Sequence, residues 1–234
     1  MKTILSLLLI IFSNASFAQD LNNVDENGLK QGVWEKKFSN GELRYKGQFK
    51  DNAAYGEFLY YSPYKYLIAK TNFKDAMVSY TTMYYKKGKM RAYGKNLNEK
   101  KDSIWIFFDE KEVHVSSVDY VKGIKHGYEN VFFEDGTLIE TINWEQGEKS
   151  GEWKQYYNNG AIRISGTYVN DQLNGPVTLS NLDGKVNAKG TYKNGLKEGV
   201  WGFYTLEGEL ESKEWYSVGK VIKREGSNLQ LWQE

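Results

Sequence analysis

Acid–base and metal chemistry have little to work with in this 234-residue chain, which carries two histidines, no cysteine and scattered carboxylates. His114 and His126 lie in different segments, and neither has the i, i+4 partner or the cysteine neighbours of a metal site. Each reads as a sheet or turn residue. No Gly-x-Ser-x-Gly elbow and no Gly-rich loop ending in Gly-Lys-Ser or Gly-Lys-Thr occurs, so hydrolase and nucleotide-binding motifs both fail. Glu129 and Glu152 hold nearly equivalent places in adjacent segments, the pairing in which two carboxylates would face one another as a glycosidase dyad. Carboxylates that recur along a polar face are normally solvation. No catalytic residue, metal ligand or cofactor is expected, and the reading is of a non-enzymatic protein. What remains is aromatic, since Phe, Trp and Tyr make up 15% of the chain. Flat rings suit glycan rings, acyl chains or a protein partner. The candidate binding residues are Trp34, Trp153, Tyr157, Tyr168, Tyr192, Trp201 and Tyr204.

The elements that position these rings are read from a period of 24 residues. Gly127, Gly151, Gly175 and Gly199 are evenly spaced, as are Gly136, Gly160, Gly184 and Gly208. Two glycine columns sharing one period signal an array of small supersecondary units. In the unit starting at Gly151, Asn159-Gly160 separates two alternating runs, the pattern of a hairpin closed by a type I′ turn. That register sets Tyr157 opposite Ile162, Gln155 opposite Ile164 and Trp153 opposite Gly166. Trp153, Tyr157, Ile162, Ile164 and Tyr168 then share one face, and Glu152, Lys154, Arg163, Ser165 and Thr167 the other.

Unit starts fall at Gly32, Gly56, Ser79, Ser103, Gly127, Gly151, Gly175 and Gly199, which makes eight hairpins in an all-β, elongated tandem array. A column of large rings supports the frame at Phe49, Phe73, Tyr120, Trp144, Tyr168, Tyr192 and Tyr216, with one residue deleted between Phe73 and Ser79. Trp faces Gly at Trp34 with Gly47 as well; Val177 with Gly190 and Thr81 with Gly94 lose the indole, and Trp201 faces Glu214. A glycine opposite an indole leaves room for the ring to cross the strand. Lys65 and Glu112 replace the tip glycine, so altered tips are expected there. A lone hairpin is marginal in water, so each unit must continue its neighbour's sheet. Sixteen strands at their usual spacing make a ribbon of roughly 75 Å, mostly one layer thick.

Residues 1–18 carry Lys2, an apolar stretch from Ile4 to Phe12 and Ser16-Phe17-Ala18, which together read as a secretory signal peptide cut near Ala18. The apolar stretch is short of the roughly 18 to 20 residues that span a bilayer. The chain is therefore expected in the periplasm or secreted. Residues 19–27 form a lead-in, 28–222 the repeat domain, and 223–234 a tail or cap bearing Leu229, Leu231 and Trp232. Removing Lys2 with the leader balances acidic and basic residues, and like charges form no blocks, which argues against nucleic acid as partner.

The run Gly151-Glu-Trp153-Lys-Gln-Tyr156-Tyr157-Asn-Asn-Gly160 with Gly166-Thr-Tyr168 resembles a MORN repeat, and more closely its bacterial, YwqK-type antitoxin-like variant. The signature returns at Gly32-Val-Trp34 and at Gly199-Val-Trp201-Gly-Phe203-Tyr204, with weaker copies over most of Gly28 to Ile222. The resemblance implies a scaffold, with phospholipid attachment in some members. A cleavable leader argues against a cytoplasmic antitoxin role. The aromatic face is accordingly covered by a partner protein or a second copy as a homodimer, used as a platform for glycan or lipid, or is the inside of a curled sheet whose units cover one another.

Overall fold

The computed structural model describes residues 21–226; the leader, the cut near Ala18 and the tail residues Leu229, Leu231 and Trp232 lie outside them. Nineteen antiparallel strands form one open sheet, without a helix among the described residues. In chain order they are β1 (Asn23–Val24), β2 (Lys30–Lys37), β3 (Leu43–Lys50), β4 (Ala53–Tyr61), β5 (Leu67–Phe73), β6 (Val78–Tyr84), β7 (Met90–Leu97), β8 (Lys100–Phe108), β9 (His114–Val121) and β10 (Ile124–Phe132). There follow β11 (Leu138–Glu145), β12 (Glu148–Tyr156), β13 (Ile162–Val169), β14 (Gln172–Leu173), β15 (Gly175–Ser180), β16 (Val186–Lys193), β17 (Leu196–Tyr204), β18 (Leu210–Ser217) and β19 (Lys220–Gly226). Consecutive strands pair throughout, except that β14 and β15 are two pieces of one interrupted strand and both pair with β13. The eight hairpins are β2–β3, β4–β5, β6–β7, β8–β9, β10–β11, β12–β13, β15–β16 and β17–β18. Lys223 to Gly226 belong to β19, which pairs with β18, so the sheet runs past the boundary expected at Ile222.

The hairpin tips are not the type I′ turns expected from the sequence. At the tip of β12–β13, the Tyr157 N–H donates to Ala161 O (2.8 Å) and the Gly160 N–H to Tyr157 O (2.9 Å). Only Gly160 in that tip has positive φ (82°), so the loop is a type I turn followed by a left-handed residue and a bulge, not type I′. The bulge pairs Tyr156, rather than Tyr157, with Ile162, while Gln155–Ile164 and Trp153–Gly166 stand as expected. Type I′ geometry belongs to the connections between units, where both central residues have positive φ: Asp51-Asn52, Asn98-Glu99, Lys122-Gly123, Gln146-Gly147, Asn170-Asp171, Asn194-Gly195 and Val218-Gly219. Nor are the tips lacking glycine altered. Lys65 (φ 69°) and Glu112 (φ 67°) adopt the left-handed conformation and close the same five-residue pattern.

Val218 is the odd residue among these turns. A β-branched side chain at φ 48° meets its own carbonyl, at a cost of about 1 kcal/mol or more. It is 69% exposed, so nothing is regained by packing. Val218→Asn, which admits the left-handed region, should slow amide exchange in β18 and β19 by roughly fivefold, the equivalent of about 1 kcal/mol. Exchange that stays the same or quickens would show that the turn carries no strain.

Register explains the glycine columns. Gly151 pairs with Tyr168, and its φ of 96° starts a bulge of β12 against β11. The same pairing recurs at Gly32–Phe49, Gly56–Phe73, Ser103–Tyr120, Gly127–Trp144, Gly175–Tyr192 and Gly199–Tyr216. Two residues on from the bulge lies a central row that crosses the sheet without interruption: Trp34, Gly47, Phe58, Thr71, Thr81, Gly94, Trp105, Val118, Glu129, Ile142, Trp153, Gly166, Val177, Gly190, Trp201 and Glu214. This row is the core, with Phe58, Trp105, Val118, Ile142, Trp153, Val177 and Trp201 all buried.

At Gly47, Gly94 and Gly190 the ring that occupies the notch comes from the next unit, not from its own, whereas Gly166 meets Val177 of the next unit and its own unit's Trp153. A Cβ on Gly47 would fall on the ring of Phe58, on Gly94 it would meet Trp105 at 2.5 Å, and on Gly190 it would fall on the indole of Trp201. Indole orientation follows. Trp105 and Trp201 lie over the preceding glycine and donate Nε1–H to Lys95 O (2.8 Å) and Thr191 O (3.2 Å). Trp153 follows Ile142, which blocks that position, and donates instead to Glu140 Oε1 at 2.7 Å.

Candidate functional site

The seven candidate rings are packed into the scaffold. Trp153 (8%) and Trp201 (1%) are buried, and Trp34, Tyr157, Tyr168, Tyr192 and Tyr204 are half-buried. Edge-to-face contacts join Trp34 to Phe49, Trp153 to Tyr168 and Tyr192 to Trp201 across the core row. A lysine two residues before the bulge covers the rings: Lys30 lies over Trp34 and Phe49, Lys149 over Tyr168, and Lys197 over Trp201 and Tyr216. Its stem covers the apolar surface while the ammonium meets the ring faces. Burial, aided by a hydrogen bond to Glu214, pushes the Tyr216 phenol up to about 12. Tyr157 sits at a tip and donates its hydroxyl to Ser180 O in the next unit (2.9 Å), a strut repeated by Tyr85 to Phe108 O. The seven do not share a side. Tyr204 reaches Gly202 and lies under Lys189, a cross-strand pair on the face opposite Trp201.

One unit departs from this pattern. In β6–β7, Ser79 stands where the bulge glycine is expected, Thr81 where the large residue is, and Asn96 where the ring is. Thr71 in β5 completes the break by replacing the notch glycine, and β5 and β6 pair without a bulge. The Thr71 and Thr81 hydroxyls share a hydrogen bond of 2.8 Å. Asn96 Nδ2 donates to Thr81 Oγ1 (2.8 Å) and to Ser79 Oγ (3.4 Å). These residues floor a cleft of about 360 Å³, walled by Tyr60, Phe73 and Trp105 and rimmed by Glu99 and Lys101. Lys101 is held over the rings of Trp105, Phe107 and Tyr120 at 4.5 to 4.9 Å. Burial, then Arg91 and Lys125, lower its pKa; burial, then Glu99 and Tyr45, raise that of Tyr60. The cluster is absent from the candidates read from sequence, where Thr81 with Gly94 stands only as a pair that loses the indole. The available signal was that the glycine, indole and ring columns all fail together there.

The opposite face is ion-paired over much of its length, at Glu35–Lys46, Glu57–Lys70 and Glu152–Lys154. Units three to five interrupt it with Tyr80 (48% exposed), Tyr93 (42%), Ile104 (57%) and Tyr128 (48%). Tyr93, flanked by Thr82 and Ile106, lies diagonal to Tyr80 and Ile104, whereas Asp119, opposite Ile104, stands between Ile104 and Tyr128. Charges stand among these side chains: Lys95, opposite Tyr80, pairs with Asp102 (3.3 Å), and Asp119 accepts the Tyr128 N–H.

Glu129 and Glu152 lie on opposite faces. Glu129 takes the indole's place in the core row and pairs with Lys125 at 2.6 Å, whereas Glu152 pairs with Lys154 on the ion-paired side, so no carboxylate dyad forms between them. His114 stacks between Phe108 and Phe132 with Nε2 buried and unpartnered, and His126 is exposed. Among the described residues no group of three or more potential metal ligands occurs, and no helix is long and apolar enough to cross a membrane.

No family model and no curated protein matches the chain. Among solved structures it is similar to the crystal structure of a mutant of S. aureus TarM in complex with Fondaparinux, alpha-GlcNAc-glycerol and UDP, at 13% identity and a TM-score of 0.26. The likeness covers 61% of this chain and 21% of that one, and it carries no argument about activity.

Proposed function

We propose that the chain is an exported, non-enzymatic scaffold of the MORN-like type that holds a partner protein against the patch on units three to five. The observation that supports this reading is the patch itself, where Tyr80, Tyr93, Ile104 and Tyr128 interrupt an ion-paired face. Tyr-rich apolar surface interspersed with polar groups has the composition of a protein interface. Lys95, Asp102 and Asp119 among these side chains leave a net negative charge, which suits a protein better than an anionic lipid surface. Export rests on Lys2 and the apolar stretch of the leader.

The test is crosslinking and affinity capture from the exported fraction, with light scattering on the purified protein. Wild type should retain a partner that the double variant Tyr93→Ser/Ile104→Ser loses at least tenfold, with thermal stability shifted by less than about 1 kcal/mol. A dimer that the same variant converts to monomer would make the occupant a second copy. A monomer whose captured proteins are the same with and without the substitutions would end the proposal.

A further inference from the structure

We propose that the unit-three cleft binds one neutral pyranose ring of a saccharide. Three features on the ring-lined face point to this ligand. First, the cleft's 360 Å³ is at the lower end of the roughly 300 to 1,000 Å³ of small-ligand sites, fit for a single ring. Second, its floor is polar and buried, with Thr71 7%, Ser79 3% and Asn96 8% exposed, at positions that most other units fill with glycine, an aliphatic or an aromatic residue. Hydroxyls and an amide in place of rings give up packing in the centre of the sheet. Breaks in an otherwise consistent local pattern are where function is expected.

Third, the hydrogen-bond inventory is incomplete in a specific way. Asn96 spends both amide hydrogens on Thr81 and Ser79. Among the described residues its Oδ1 receives no donor, and the Ser79 hydroxyl hydrogen has no acceptor. The floor therefore presents an unused acceptor beside an unused donor, a pair that a hydroxyl-bearing ring satisfies because each hydroxyl both donates and accepts. Phe73 and Tyr60 offer apolar wall to the C–H faces of a sugar. At the rim Glu99 and Lys101 cancel in charge, favouring an uncharged sugar over a uronate or a phosphate.

The experiment is an amide NMR titration of the full secreted chain with methyl glucopyranoside, methyl mannopyranoside, N-acetylglucosamine and cellobiose, with glycerol and glucuronate as controls. A neutral sugar should give saturable shifts centred on residues 71, 79, 81 and 96. Affinity should fall at least tenfold in Asn96→Leu and also in Ser79→Ala, which removes one hydroxyl and should lower the melting temperature less than Asn96→Leu does. Four outcomes would overturn the proposal: no saturable shift with any neutral sugar, equal shifts with glycerol, tighter binding of glucuronate, or binding that survives Ser79→Ala. Each would leave the cluster as a hydrated structural network.

Discussion

Trp201→Ala should cost about 3 to 5 kcal/mol and should unfold the C-terminal end of the sheet alone. Trp201 is 1% exposed, the most thoroughly buried indole of the described residues. Its removal takes away edge contacts to Tyr192 (5.4 Å) and Tyr216 (6.1 Å) and leaves Thr191 O without its donor. Lys197, which lies 4.2 Å from the ring centroid, also loses the surface its stem covers. In a one-dimensional array each unit contacts only its neighbours, so the loss is local. Hydrogen exchange should therefore accelerate strongly in β16 to β19 while β2 to β9 keep their protection. Uniform acceleration along the chain would mean that the sheet unfolds as one cooperative block, contrary to the nearest-neighbour picture.

The parts of the fold that were legible in the sequence are those fixed by strict recurrence. Gly127, Gly151, Gly175 and Gly199 gave the unit length, and Trp153 opposite Gly166 gave the register, because period and pairing depend only on counting residues. Turn type was not legible at Asn159-Gly160, since the same dipeptide suits either a type I′ turn or the last two residues of a type I turn with a bulge. What decides is the N–H of Tyr157, which bonds to Ala161 and makes room for a third loop residue. The bulge at Gly151 was hidden as well. It adds residues to β12 relative to β11 without changing the 24-residue period, so spacing along the chain carries no trace of it.

The candidate site was legible only as absences. A row of rings suggests a binding face when read from sequence, yet Trp153 is buried against Tyr168 and Trp201 lies over Gly190 between Tyr192 and Tyr216 with Lys197 above, and none of these contacts follows from alternation. Side chains that close a surface come from residues 10 to 24 positions away, such as Lys197 over Tyr216 and Tyr157 on Ser180, and only the folded register brings them together. Conversely, Thr71, Ser79, Thr81 and Asn96 look like loss of signal one by one. They acquire meaning when the sheet sets them side by side.

Gly190→Ala tests the packing rule itself, because two physical arguments give it opposite signs. Backbone entropy alone favours alanine over glycine in an extended strand by roughly 0.5 to 1 kcal/mol. Sterics oppose it: the new Cβ would stand no more than 2.5 Å from three ring atoms of Trp201. That ring cannot retreat, being held between Tyr192 and Tyr216 with Lys197 above. The steric effect should win, with a loss of about 3 kcal/mol in urea unfolding. At Gly166 the nearest atoms are Val177 Cγ2 at 3.0 Å and Trp153 at 3.4 Å, so Gly166→Ala should cost under about 1 kcal/mol. Combining Gly190→Ala with Trp201→Ala separates the causes. If the indole is what excludes the methyl group, the double variant should be less destabilised than the sum of the singles by at least about 2 kcal/mol, since the added Cβ then enters the space the ring vacated. Strictly additive costs would place the damage in the strand backbone and leave the glycine column without a packing role.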